Sequence, residues 1–84
     1  MKQLLFFYAS WCGPCRVYER EFVTPLEKEL GGEKIRRINV QEDPFTAEKF
    51  NITRIPAAFV VDGEQIQRRF VGPSDIEEVR ELLL

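Results

Sequence analysis

Eighty-four residues are length for one domain, 1–84, and exclude a multidomain enzyme or a repeat array. With 44% hydrophobic, 12% aromatic and 31% charged residues, the chain has ordinary globular composition, and at this size it is expected to bury roughly 60% of its unfolded surface rather than stay disordered. A net charge of -2 argues against nucleic acid as a partner, and two cysteines with no histidine exclude a Ser-His-Asp or Cys-His nucleophile and a four-ligand Cys/His zinc site within one chain.

Leu4 to Ala9 is a continuous apolar and aromatic run, the pattern of a central strand covered on both faces. It is slightly short for a secretory segment and far below the ~20 residues of a membrane span, so no export signal and no membrane association are expected. A cytoplasmic setting then follows, where paired cysteines usually serve catalysis or metal binding. Gly13-Pro14 ends the strand, and Tyr18, Phe22, Leu26 and Leu30 recur every fourth residue, with Val17 and Val23 widening the stripe of an amphipathic helix. Pro14 suits a first helical turn, Pro25 is expected to kink or divide the helix, and Gly31-Gly32 stops it.

Ile35 to Val40 reads as a second strand whose polarity suits a sheet edge, with Ile38 and Val40 on one face and Arg37 and Asn39 on the other. Asp43-Pro44 opens a short helix carrying Phe45 and Phe50 and ending near Asn51. Ile55-Pro56 returns to extended chain, Ala57 to Asp62 forms a strand, and an Asp-Gly turn at Gly63 leads into its hairpin partner, Gln65 to Val71. Ser74 and Glu77 form a capping box after Pro73, opening a last helix that buries Ile76, Val79, Leu82 and Leu83. The predicted order is βαβαββα, an α/β fold with a four-stranded mixed sheet flanked by helices, whose first three elements make a parallel crossover.

Trp11-Cys12-Gly13-Pro14-Cys15 joins the buried strand to the helix start. At that point unpaired backbone N–H groups and the positive end of the helix dipole stabilise a thiolate on Cys12. Two intervening residues bring Cys15 within disulfide reach, so it can resolve a mixed disulfide formed by Cys12. A fixed structural disulfide fits less well because so small a loop constrains little chain entropy, and half a metal site lacks its other ligands. A metal or cluster bridging two chains stays open as an alternative.

The sequence Trp11-Cys12-Gly13-Pro14-Cys15 reproduces the active-site motif of the thioredoxin family, and Ile38-Asn39-Val40, Asp43-Pro44 and Arg54-Ile55-Pro56 resemble further segments of that family at compatible spacings. The resemblance implies the minimal thioredoxin fold and a protein-disulfide reductase. In that activity Cys12 attacks a target disulfide, Cys15 resolves it, and thioredoxin reductase then reduces the pair with electrons from NADPH. It also implies a cis peptide bond before Pro56 and an apolar, substrate-binding surface made by Trp11, Gly13, Pro14, Ile55, Pro56 and Gly72. No bound cofactor and no metal are expected, the partners are protein disulfides and the reductase, and the chain is expected to act as a monomer. Simple core packing is the competing reading of Trp11, and an ordinary strand-start position that of Pro56.

Two departures bear on these expectations. The layout starts at the central strand, which is the minimal size typical of glutaredoxins, so coupling to glutathione is the nearest alternative; the Arg54-Ile55-Pro56 segment and the missing second Gly-Gly argue against it. Phe6 stands where thioredoxins place a buried Asp that assists proton transfer at the resolving thiol, leaving Cys15 dependent on water or another carboxylate. A different class of function would use the fold as an assembly surface, with the cysteines incidental. Arg16, Arg20, Arg36, Arg37, Glu19 and Glu21 read mainly as solvated surface charge, with Arg16 placed to tune a thiolate or meet a partner. The Phe6-Phe7-Tyr8 run reads as core rather than a base-stacking platform.

Overall fold

In the computed structural model, which describes residues 1–71 and 76–84, the apolar run predicted as a central strand is β1, Lys2–Tyr8. It pairs in parallel with β2, Ile35–Asn39, on one side and antiparallel with β3, Ala57–Asp62, on the other. β3 continues through Gly63-Glu64 into β4, Gln65–Val71, giving the strand order β2-β1-β3-β4. β2 is the predicted edge. A central strand must be apolar on both faces because both are covered, and Leu4 to Phe7 are all buried.

Alternation along β1 divides the core in two. Leu4 and Phe6 pack with Ala58, Val60 and Phe70 against the helices of one face, through Cys15, Tyr18, Val23, Leu26, Val79 and Leu83. Leu5 and Phe7 pack with Ile38, Ala57, Phe59 and Val61 against Phe50 and Ile52 on the opposite face. The first face carries α1 (Gly13–Tyr18), α2 (Thr24–Leu30) and α4 (Ile76–Leu83); the second carries α3 (Pro44–Lys49). The predicted capping box at Ser74 lies outside the described residues.

Pro25 divides the first helix as expected, and the chain accommodates it with a π-helical segment, Glu19–Val23, between α1 and α2. Proline supplies no N–H and its ring crowds the carbonyl four residues earlier, so the preceding turn re-pairs: the Thr24 N–H donates to Glu19 O, five residues back. Gly31 then ends α2 at φ 101°, ψ 152°, a conformation open essentially to glycine alone, and its N–H donates to Glu27 O at 2.9 Å.

The short helix carries both predicted rings, to which the sequence assigned no face: Phe45 is exposed and Phe50 reaches the core, as five residues on a helix turn about 140° around the axis. Two expectations need correction. Val17 is 43% exposed, because it sits about 100° around the helix from Tyr18 and so falls off the buried stripe. Arg37 and Glu19 are not simply solvated. Arg37 lies on the same face of β2 as Ile35, beneath the first two helices, and its guanidinium donates to Glu19 and, in a two-pronged pair at 2.7 and 3.1 Å, to Glu27.

Candidate active site

The site forms where β1 hands over to α1. The Cys12 N–H donates to Ala9 O at 3.1 Å, closing a turn that leaves Cys12 extended (φ −87°, ψ 103°) as the N-cap of the helix. Pro14 follows within the first turn, where its missing N–H would have had no helical partner anyway. The next free N–H, that of Cys15, donates to Cys12 Sγ at 3.2 Å. Sulfur therefore takes the place an Asp or Ser oxygen holds at other helix starts, in the field of the unpaired N–H groups that stabilise negative charge. A thiolate there would be held in the form that attacks disulfides.

Cys12 and Cys15 are joined by a disulfide, and both are buried, while Ser10, Trp11, Gly13 and Pro14 around them are exposed. The sulfurs lie just below this rim. Trp11 is 66% exposed, which overturns core packing as its role. Trp11 therefore presents a large apolar ring on the surface, one residue before Cys12.

The neighbouring chain is brought to the same end of the sheet. The Val40 N–H donates to Tyr8 O at 2.9 Å, and Ser10 Oγ lies 3.5 Å from Gln41 Oε1, so the turn after β2 flanks the cysteine loop. Ala57 pairs with Phe7 at the exit of β1, which places Pro56, one residue earlier, beyond that end of the sheet. The Ile55–Pro56 bond is cis, as the family resemblance implied; Pro56 is buried and Ile55 half-buried, touching both halves of the core. Gly72 lies outside the described residues.

Below the sulfurs the surroundings are aromatic. Phe6 has 0% exposure and is stacked between Tyr8 and Tyr18, with both ring centroids at 5.5 Å, and it shares its core cluster with Cys15. Among the described residues no polar or charged side chain is buried, so no buried carboxylate replaces the acid that the family pattern places at position 6. The charged groups of this half of the molecule are organised further along the helix. Hydrogen bonding to Arg37 holds the Glu27 carboxyl below its ordinary range, and the same bond, with that to Glu19, raises Arg37. Asp43, the N-cap of α3, is lowered by hydrogen bonds from the Thr46 hydroxyl and N–H, with a smaller contribution from the Arg36 charge. Period-two alternation was the signal for Arg37: a cation on the covered face of a strand needs acidic partners.

The family model for thioredoxin matches residues 1–84. The chain belongs to the thioredoxin family. Its relatives include the thioredoxin of Staphylococcus haemolyticus strain JCSC1435, 36% identical over 87 residues that cover 96% of this chain and 78% of that protein. The thioredoxin of Staphylococcus aureus strain N315 is 34% identical over 86 residues, covering 96% and 78%. Among solved structures, the thioredoxin of Fasciola hepatica superposes with a TM-score of 0.81 at 27% identity, covering 98% of this chain and 77% of that one. The oxidised form of mitochondrial thioredoxin 3 from Saccharomyces cerevisiae shares the fold at a TM-score of 0.72 and 24% identity, covering 95% and 74%. A thioredoxin with an intact Cys12–Cys15 pair is a thiol–disulfide oxidoreductase with protein-disulfide reductase activity, and the glutaredoxin alternative is not favoured. Among the described residues, no helix of this thioredoxin is long and apolar enough to cross a membrane.

Proposed function

We propose that Cys12 is the attacking thiol and Cys15 the resolving thiol of a cytoplasmic, monomeric protein-disulfide reductase whose domain spans residues 1–84. The observation that carries this reading is the position of Cys12 as helix N-cap, with its sulfur accepting the Cys15 N–H. The Cys12 thiolate attacks one sulfur of the target disulfide; that S–S bond breaks, and the other target sulfur leaves as a thiolate that takes a proton. The resulting mixed disulfide is attacked by Cys15 Sγ, which closes the Cys12–Cys15 bond and releases the second target thiol. Two electrons and two protons pass to the target in all.

The aromatic pocket around Phe6 leaves the Cys15 proton to solvent at the mouth of the site. Trp11, Gly13, Pro14, Ile55, Pro56 and Gly72 form the surface on which an extended substrate segment rests. The exposure of Trp11 and the shared sheet end of Pro56 and the cysteine loop support that surface. Thioredoxin reductase, drawing on NADPH, returns the pair to thiols, and no resident cofactor or metal takes part.

The test is a trapping experiment with a disulfide-bonded protein substrate. Cys15→Ser is expected to accumulate a mixed disulfide through Cys12, seen as a mass increment lost on reduction, whereas Cys12→Ser accumulates none. Adduct formation by Cys12→Ser but not by Cys15→Ser would reverse the roles.

A further inference from the structure

We propose that the groove running from Arg16 to Lys28 selects target disulfides flanked by acidic residues. The inference rests on the reductase reading above and adds to it a substrate class. Arg16, Glu19, Arg20, Thr24, Pro25 and Lys28 line one open surface groove of about 450 Å³ along the first helical run. The Arg16, Arg20 and Lys28 side chains are exposed, and none of them is in an ion pair with a carboxylate among the described residues. The one acid in the groove, Glu19, is already engaged by Arg37 from β2. Three cations therefore face solvent in a chain whose net charge is -2, so this basic strip is a local departure from the overall balance.

Its position ties it to the cysteines. Arg16 directly follows Cys15, and its Nη2 donates to Ser10 O at 3.0 Å, so the near end of the groove is fastened to the loop that carries Trp11 and Cys12. From there to Lys28 the helical run rises about 18 Å, the length of about five residues of extended peptide. A target whose disulfide sulfur meets Cys12 can thus lay the residues next to its cysteine along the groove, and Asp or Glu at those places would meet Arg16, Arg20 and Lys28. Exposed charge pairs of this kind act chiefly on encounter and orientation, and they are screened by salt. A polyphosphate backbone would use the same cations but is disfavoured by the acidic remainder of the surface.

The experiment compares kcat/KM for three disulfide-bonded peptides of one core sequence, with Glu, Ser or Lys occupying the five residues beside the reactive cysteine. At low ionic strength the Glu peptide is expected to be reduced about fivefold faster than the Lys peptide. The ratio is expected to fall below about twofold at high salt, and to fall similarly in Arg20→Glu/Lys28→Glu. Equal reduction of all three peptides would overturn the groove while leaving the reductase reading intact, and no reduction of any of them would overturn that reading itself. A preference for Glu that survives the double substitution, or salt-sensitive binding of a single-stranded oligonucleotide without flank preference, would likewise defeat the proposal. The salt dependence of the unsubstituted protein keeps the test decisive should the variant fold poorly.

Discussion

Removing the Phe6 ring is expected to bring the molecule close to unfolding. The side chain has 0% exposure, lies at the centre of β1 between strands on both sides, and is stacked against Tyr8 and Tyr18. Truncating a buried Phe to Ala costs about 3–5 kcal/mol, and an aromatic pair is worth about 0.5–1.5 kcal/mol beyond its buried area, so the upper part of that range applies to Phe6→Ala. A chain of 84 residues has a total stability of about 4–13 kcal/mol, at about 0.05–0.15 kcal/mol per residue. Phe6→Leu keeps most of the apolar volume but loses both stacks, for an expected cost of about 1–2 kcal/mol. With a urea slope of about 1 kcal/mol/M for so small a protein, the Leu variant should lose about 1–2 M in midpoint, and the Ala variant about 3–5 M or its folded baseline altogether. Far-UV circular dichroism of the oxidised protein is the proper probe, because Trp11 is exposed and reports poorly on the core. Phe6→Asp, which installs the acid of the family pattern, should be worse than alanine, since a carboxylate enters a dry site walled by rings. A midpoint loss under about 1 M for Phe6→Ala at unchanged slope would refute the packing described here.

Gly31→Ala is expected to cost about 1–3 kcal/mol, because φ 101° is strained for any side chain, whereas Gly32→Ala, with open space and no positive φ, should stay within about 0.5 kcal/mol of the parent; equal effects in urea titrations would contradict the assignment. Arg37→Met should lower stability most at low salt, and a double-mutant cycle with Glu27→Gln should return a favourable coupling, whereas strict additivity would mean that the pair contributes nothing. Glu27 and Asp43 have folded-state values below their ordinary 4.5 and 3.8, so the unfolded chain takes up protons first as pH falls. Their contribution is complete above about pH 5 and is lost as pH drops through the lowered values; Glu27→Gln should flatten that loss in unfolding free energy measured against pH.

The parts of this molecule that were legible in its sequence are those governed by local rules. Leu4 to Phe7 could only be a covered central strand, Gly31 could only end a helix, and Asp43-Pro44 signalled a cap that forms with Thr46 as its partner. The Trp11-Cys12-Gly13-Pro14-Cys15 motif placed the sulfurs at a helix start, and the family resemblance supplied the cis bond before Pro56. What escaped depends on rotation and on distant partners. Val17 was misplaced because it was assigned to the buried stripe of a helix without following its angle around the axis. The π-helical re-pairing ahead of Pro25 depends on which carbonyl the Thr24 N–H reaches, a choice that spacing alone does not dictate. The Arg37 pairs join residues 10 and 18 positions apart on a strand and two helical segments, and only the assembled layers bring them together.

The central claim is that Cys12 and Cys15 cycle reversibly between dithiol and disulfide as a reductant of protein disulfides. Its most direct test is the equilibrium reduction potential of the pair, measured against a defined thiol buffer by the mass shift of alkylated thiols. A reversible two-electron transition near about −270 mV, the thioredoxin range, is the predicted result. A value near about −120 mV would mark an oxidant rather than a reductant, and a pair that forms no reversible disulfide would contradict the account outright.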